Sequence, residues 1–300
     1  MQKLGFYFHN PRRFVASFVF HLNFLFPDKL YLKIMFWADM GYRLDLNNPQ
    51  TYSEKLQWIK LYDHNPLYTQ LVDKIAVKDY VKAKVGESII IPTLKIWDSP
   101  SEIDLSLLPE QFVLKTNNGG GSNGVIVCKN KSSFNIKEAK QKLNKSLRNS
   151  IYRTHREWPY KNVRPKVFAE KFMQDESGYE LKDYKFFCFD GEVKALFVAT
   201  DRYLGEHKVK FDYYDRDFNH LDLRQSHENA ENPMTVPPKN YEDMISVAEK
   251  LSKGLKHVRV DLYNINGSVY FGEMTFFHYS GLVPFRPNKW DTIWGQWLKL

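Results

Sequence analysis

Two carboxylates, Asp261 and Glu273, flank a turn at residues 264–267 in the string VRVDLYNINGSVYFGEMT. Strands joined by such a turn pair antiparallel, and their distances from it aim both carboxylates at one point. Close carboxylates repel, so a pair like this is met by a cation, a basic partner or a shared proton. Mg²⁺ is a natural candidate, because it takes one or two carboxylates and completes its shell with phosphate oxygens. The plainer alternative is the two ends of a solvated hairpin with Arg259 as partner. A second string, FVLKTNNGGGSNGVIVC at 112–128, sets a glycine-rich turn between two short apolar runs. Backbone N–H groups in such a turn make an anion-binding concavity, and Lys115 closes the first run where its ammonium can meet a phosphate. The lysine precedes the glycines and a strand follows them, which is not the order of a Walker loop. An ordinary glycine-rich hairpin reads equally well on this stretch alone.

Other chemistry-bearing residues are scattered. Lys74, Lys115 and Lys185 sit on separate elements and are individually unremarkable surface types; convergence on a polyphosphate would use all three. Glu170 and Asp183 border strands, as acceptors for ribose hydroxyls or an adenine amino group, or as solvated strand ends. His155, His207 and His278 lack metal-binding spacing, and no Ser-His-Asp order is evident. Asp215-Arg216-Asp217 is the one D-x-D triplet worth weighing for a sugar-nucleotide site.

The elements that must position these residues follow from pattern. Thr51 and Glu54 have capping-box spacing and open a helix. Asp73 is placed to cap another, running to Lys84 and closed by Gly86. Residues 89–91 and 94–97 read as short strands about Pro92. Residues 134–150 form a lysine-faced helix, and 151–165, aperiodic but rich in Arg, His, Glu, Trp and Tyr, read as a loop. Strands are expected at 167–173, 184–189, 193–199 and 209–214, with Asp190-Gly191 as a hairpin turn. A helix with Tyr241, Met244, Ala248, Leu251 and Leu255 inward precedes the last hairpin.

Composition bounds the rest. The 300 residues are ample for a core, and 43 Lys and Arg against 35 Asp and Glu give a formal charge of +8. That balance favours an anionic ligand or surface; without a nucleic-acid-binding motif, no nucleic-acid partner is expected. Cys128 and Cys188 lie in apolar runs without ligand spacing, consistent with buried thiols and a reducing, cytoplasmic setting. The apolar run 14–26 stands behind Arg12 and Arg13 and is too short to span a bilayer. It is expected to pack as a helix, with peripheral contact at the inner face of a membrane as the alternative.

Taken in order, Lys74 after Asp73, FVLK, the glycine loop, FAEKF, DYK, VRVDL and GEMT resemble the ATP-grasp superfamily. NPQTYSEKLQWIKLYD, DYKFFCFDGE and FDYYDRDFN resemble its TupA-like branch, found in bacterial capsule and surface-polysaccharide gene sets. The resemblance spans about residues 44–291. It implies an α+β ATP-grasp fold, in which two subdomains grip ATP between antiparallel sheets behind a helical N-terminal extension. The expected divisions are 1–43, 44–109, 110–170 and 171–300. It also implies roles. Lys74 and Lys115 meet the phosphates of ATP. Gly119, Gly120, Gly121, Ser122 and Gly124 belong to the loop covering them. Glu170, Lys171 and Phe172 form the hinge beside adenine, and Asp183 lies near ribose. Lys185 and Arg202 face the transferring group, and Asp261 and Glu273 hold Mg²⁺. Thr275 stands where many relatives have Asn as third ligand, and His278-Tyr279 where relatives often have Pro and a small residue.

The resemblance implies an ATP- and Mg²⁺-dependent carboxylate–amine ligase working through an acylphosphate. It would join an amine or amino acid to a uronic acid or another carboxylate of an anionic saccharide. The alternatives are a sugar-kinase-like phosphotransferase, a glycosyltransferase, and a non-catalytic polysaccharide assembly protein.

Overall fold

The computed structural model describes residues 11–120, 124–175, 181–200 and 209–300. Its strands form two antiparallel sheets. Helices α1 (Pro11–His21) and α2 (Asp28–Met40) make an antiparallel hairpin with a small core of its own, built from Ala16, Val19, Tyr31, Leu32, Met35, Phe36 and neighbours. Helix α3 (Tyr52–Tyr62) opens on the expected capping box. The Glu54 N–H donates to Thr51 Oγ1 at 3.2 Å and the Thr51 N–H to Glu54 Oε2 at 3.1 Å. Helices α4 (Leu67–Val72) and α5 (Val77–Val85) follow, the second ending at Gly86.

The small sheet runs β1 (Thr93–Trp97), β4 (Val167–Lys171), β2 (Phe112–Thr116), β3 (Val125–Cys128) in spatial order, and α6 (Ile136–Arg148) packs on it. Alternation decides its faces. Phe112, Leu114, Val167 and Ala169 face the core with Ala139 and Leu143 of α6. Lys115 and Glu170, offset by one residue, therefore share the opposite face. The large sheet runs β7 (Lys210–Asp215), β6 (Glu192–Thr200), β5 (Asp183–Phe189), β8 (His257–Ile265), β9 (Ser268–Thr275). Val258, Val260 and Leu262 pack with Met244, Ala248 and Leu251 of α8 (Tyr241–Ser252) in the principal core. Arg259 and Asp261 consequently lie on the other face. Asp190 (φ 51°) and Gly191 (φ 82°) make the β5–β6 turn read from the sequence, and helix α9 (Lys289–Trp297) packs against α3.

Three local expectations are corrected. Residues 89–91 are no strand; Ile90 makes one isolated bridge to Phe271, and Pro92 has no N–H to extend it. Asp73 does not cap a helix directly. It accepts from the N–H groups of Ile75 (2.8 Å) and Ala76 (3.3 Å) and so closes a turn over residues 74–76, after which the helix begins at Val77. Residues 151–165 are not simply loop. They hold helix α7 (Ile151–His155) and a 3₁₀ turn at Trp158–Asn162, anchored from outside: Arg156 donates to Asn23 O at 2.6 Å and Trp158 Nε1 to Asp63 O at 2.9 Å. Cys128 and Cys188 are buried free thiols. Among the described residues no helix is long and apolar enough to cross a membrane.

Candidate active site

Strand register assembles one charged face on the large sheet. Asp261 of β8 is paired with Lys185 of β5 on one side and Glu273 of β9 on the other, while Arg259 is opposite Thr275. A bulge between Asp261 and Leu262 lets Gly272 pass close to the Asp261 carbonyl, where a Cβ would stand only 3.0 Å from it. Arg259 clamps Asp261 with both prongs, Nε to Oδ1 at 2.6 Å and Nη2 to Oδ2 at 2.8 Å. The same Nη2 reaches Thr275 Oγ1 at 3.1 Å and Glu273 Oε1 at 3.4 Å. Lys185 donates to Asp261 and lies 2.6 Å from Asp183. Burial pushes the Asp261 carboxyl upward and its carboxylate neighbours hold Arg259 still more firmly protonated. With cations on both oxygens, Asp261 is a clamped carboxylate. Burial also opposes charge on Glu273, but Lys74, Lys185 and Arg259 together outweigh it and hold this carboxyl well below the usual range.

The small sheet contributes a second cluster. Glu170 is buried between two lysines, each at 2.5 Å: Lys115 from the neighbouring strand and Lys78 from α5. Desolvation would raise the Glu170 carboxyl, yet the two ammonium groups prevail and lower it. Beside this cluster a groove of about 580 Å³ is lined by Lys78, Pro92, Thr93, Lys171, Met173 and Tyr270, within the usual size of small-molecule sites. Lys171 is exposed at the end of β4, and Phe172, just beyond it, is half-buried.

Lys74 spans the two clusters. Its Nζ donates to Gly119 O at 2.8 Å and pairs with Glu273 Oε2 at 2.6 Å, so one ammonium touches the glycine turn of the small sheet and a carboxylate of the large one. Asn117, fully buried, fixes the approach: its Nδ2 donates to Asp73 Oδ2 and to Arg164 O, both at 2.9 Å, and its Oδ1 accepts from the Lys166 N–H at 2.7 Å. The glycines flank a hydroxyl pair, Thr116 and Ser146, 3.0 Å apart; a Cβ on Gly119 would stand 2.5 Å from Thr116 Oγ1, and one on Gly124 would collide with it.

A family model described as TupA-like ATPgrasp matches residues 54–299. The chain belongs to the TupA-like ATP-grasp family. The two antiparallel sheets with a charged face on each are the α+β fold this membership entails. A search of curated proteins found no match. Similar solved structures include D-alanine–D-alanine ligase from Helicobacter pylori, at 16% identity and TM-score 0.45 over 84% of this chain and 70% of that one. They also include D-alanine–D-alanine ligase from Bacillus anthracis complexed with ATP, at 14% and 0.43 over 71% and 63%. A third is N5-carboxyaminoimidazole synthetase from Staphylococcus aureus complexed with ADP, at 14% and 0.41 over 78% and 55%. The chain thus covers less than two thirds of the length of the last two.

In this ATP-grasp chain the structure brings together Lys74, Lys185, Asp183, Asp261, Glu273 and Thr275, with Gly119 joined through Lys74; Lys115 and Glu170 form the neighbouring group. Arg202, Gly121 and Ser122 lie outside the described residues. Gly120 adjoins Ile151. As metal donors, Asp261, Glu273 and Thr275 offer the hard oxygens Mg²⁺ takes, and Glu273 keeps 25% of its side chain exposed where Asp261 is closed off. Of the three, Glu273 is the donor open to an ion that shares its shell with phosphate oxygens, and Asp261 would join it only on exchanging Arg259 or Lys185. Among the described residues no three His, Cys, Asp or Glu side chains gather into a protein-only metal site.

Four further residues build the site. Arg259 is legible in the motif through its i, i+2 spacing from Asp261. Lys78 and Asn117 carry no such signal. His278 is buried, and desolvation followed by Arg259 and Lys185 holds its imidazole far below its ordinary range. It is therefore neutral: Nδ1 accepts from Arg259 Nη1 at 2.9 Å, which leaves Nε2–H to donate to Gln225 Oε1 at 3.0 Å. A buried group adjoins this side, with Lys60 donating to Ser280 Oγ at 2.7 Å. Burial pushes Lys60 down and Glu157 up, each opposed by the other's charge, and burial with Lys60 nearby takes His155 down to about 4. In the Asp215-Arg216-Asp217 triplet, Asp215 Oδ1 accepts from the N–H groups of Asp217 (3.0 Å) and Asn219 (2.8 Å) and closes a turn.

Proposed function

We propose that this chain is an ATP-dependent carboxylate–amine ligase. The observation that carries the reading is Lys74, one ammonium held between the glycine turn and Glu273, where it would meet the phosphates of a nucleotide lying between the two sheets. In the reaction a carboxylate oxygen attacks the γ-phosphorus of ATP, giving an acylphosphate and ADP. An amine then attacks the acyl carbon, phosphate leaves, and the amine loses a proton as the amide forms. Lys74, Lys115 and Lys185 would bind the phosphates, and Arg259 would face the oxygen on which charge develops. Glu170 would orient the adenine. Asp261, Glu273 and Thr275 would hold Mg²⁺, which when bound screens phosphate charge. The glycine turn would exclude water, since an exposed acylphosphate hydrolyses.

The carboxylate is proposed to be a uronic acid or other acidic sugar of a surface polysaccharide, and the amine an amino acid; TupA-like membership and the basic net charge support this. The test supplies purified protein with Mg-ATP, a uronic acid and hydroxylamine as surrogate amine. The expected product is a hydroxamate formed together with ADP and free phosphate. A phosphorylated sugar with ADP but neither hydroxamate nor phosphate would identify a kinase instead.

A further inference from the structure

Helices α1 and α2 use their inner faces for their own core and leave an outer face uncovered by the other described residues. Phe18 is 57% exposed, and at the bend between the helices Phe24 and Leu25 reach 76% and 63%; Leu30, on the first turn of α2, is 47% exposed. Isolated apolar residues on a surface need no explanation, but a run gathered at the tip of one hairpin does. Its charged surroundings are one-sided. Arg12, Arg13, Lys29 and Lys33 are all exposed. Of the two acids in these helices, Asp28 is bound by Arg156 Nε at 2.8 Å and by the Tyr152 hydroxyl at 3.1 Å, and Asp39 is half-buried with Arg13 nearby. The outward charge of the hairpin is therefore positive.

The bend is also fixed to the body. Arg156, itself buried, donates to Asn23 O at 2.6 Å and Phe26 O at 3.3 Å and lies over the Tyr31 ring, while Tyr31 donates to Thr154 O at 2.7 Å. Asn23 turns its amide back to Phe20 O at 2.7 Å. The backbone at the tip is thus largely satisfied, which suits an environment poor in water.

We propose that this hairpin tip docks peripherally on an anionic lipid bilayer, independently of the reaction assigned above. Phe18, Phe24, Leu25 and Leu30 enter the interface, and the lysines reach back to lipid phosphates. A second copy of the chain fits less well, because a two-fold contact through this face would set the same cations against each other.

The test is co-sedimentation of the full chain with vesicles of phosphatidylglycerol and phosphatidylcholine, compared with phosphatidylcholine alone. Binding should require the anionic lipid and weaken with salt. Phe24→Ser with Leu25→Ser should lower partitioning by on the order of tenfold or more; Lys29→Glu with Lys33→Glu should abolish the preference for phosphatidylglycerol. Both pairs are exposed, so unchanged thermal unfolding serves as the fold control. Equal sedimentation with both vesicle types, or variants that bind like the parent, overturns the proposal. So does a lipid-free dimer that Phe24→Ser with Leu25→Ser dissolves, which would assign the face to a second copy.

Discussion

Arg259 and Asp261 are two positions apart on one strand, so the pleat sets them on one face before any tertiary contact forms. Their roles in stability differ from that of Glu273. Asp261 is almost wholly buried and would keep only Lys185 if Arg259 were removed. Arg259→Gln should therefore cost about 2–4 kcal/mol in urea unfolding, since a buried charge losing a partner is expensive. Glu273 is partly exposed but ion-paired, so Glu273→Gln should cost less than Arg259→Gln, about 1–2 kcal/mol in urea unfolding at neutral pH, while lowering ATP-dependent turnover by on the order of 100- to 1,000-fold. Undiminished turnover in Glu273→Gln would remove it from the phosphate-facing role. At this scale the sequence was most readable where the partner was local in the ladder: Asp261 and Glu273 could be paired from their turn. Lys78 beside Glu170 could not be, because 91 residues of intervening chain separate a helix from a strand and nothing in either string points to the other.

Elements show the same division. The α3 capping box and the Asp190-Gly191 hairpin were legible because their hydrogen bonds close within a few residues. Helix α7 was not: at five residues it cannot stand alone, and its support comes from Asn23 and the N-terminal hairpin. The junction of α3 with α9 was equally silent. There Asp291 accepts from the Ser53 N–H at 2.8 Å, and burial, opposed by that bond, still pushes its carboxyl from 3.8 to about 6. Between those values the folded chain keeps a proton that the unfolded chain releases, so this group's contribution to stability declines as pH rises through the window. Asp291→Asn does not titrate and still offers an acceptor to Ser53. It should gain on the parent chain as pH rises from about 4 to about 7, by on the order of 1–3 kcal/mol in urea unfolding; a constant difference across that range would deny the shift. The glycine turn carries a steric demand of its own. Gly124→Val would drive Cβ into Thr116 and bring it 2.6 Å from Ser146 Oγ, at a cost of about 1–3 kcal/mol.

For the molecule as a whole, the consequence lies in how its cores are joined. The small sheet and α6 enclose one apolar core and the large sheet with α8 and α9 another, with separate residue sets. Between them run polar links: Lys74 to Gly119 and Glu273, and Lys78 of α5 to Glu170. A nucleotide whose adenine lies by Glu170 and whose phosphates lie by Lys74 would touch both halves at once, and would stabilise them as a unit. Saturation with Mg-ADP at about 100 times its Kd should add about 2.7 kcal/mol. For a chain of 300 residues that is a rise of about 4 °C in a single calorimetric transition. Lys74→Ala should reduce the rise without splitting the transition. Two transitions, of which the nucleotide moves only one, would instead place its whole site on one half and break the bridging role assigned to Lys74.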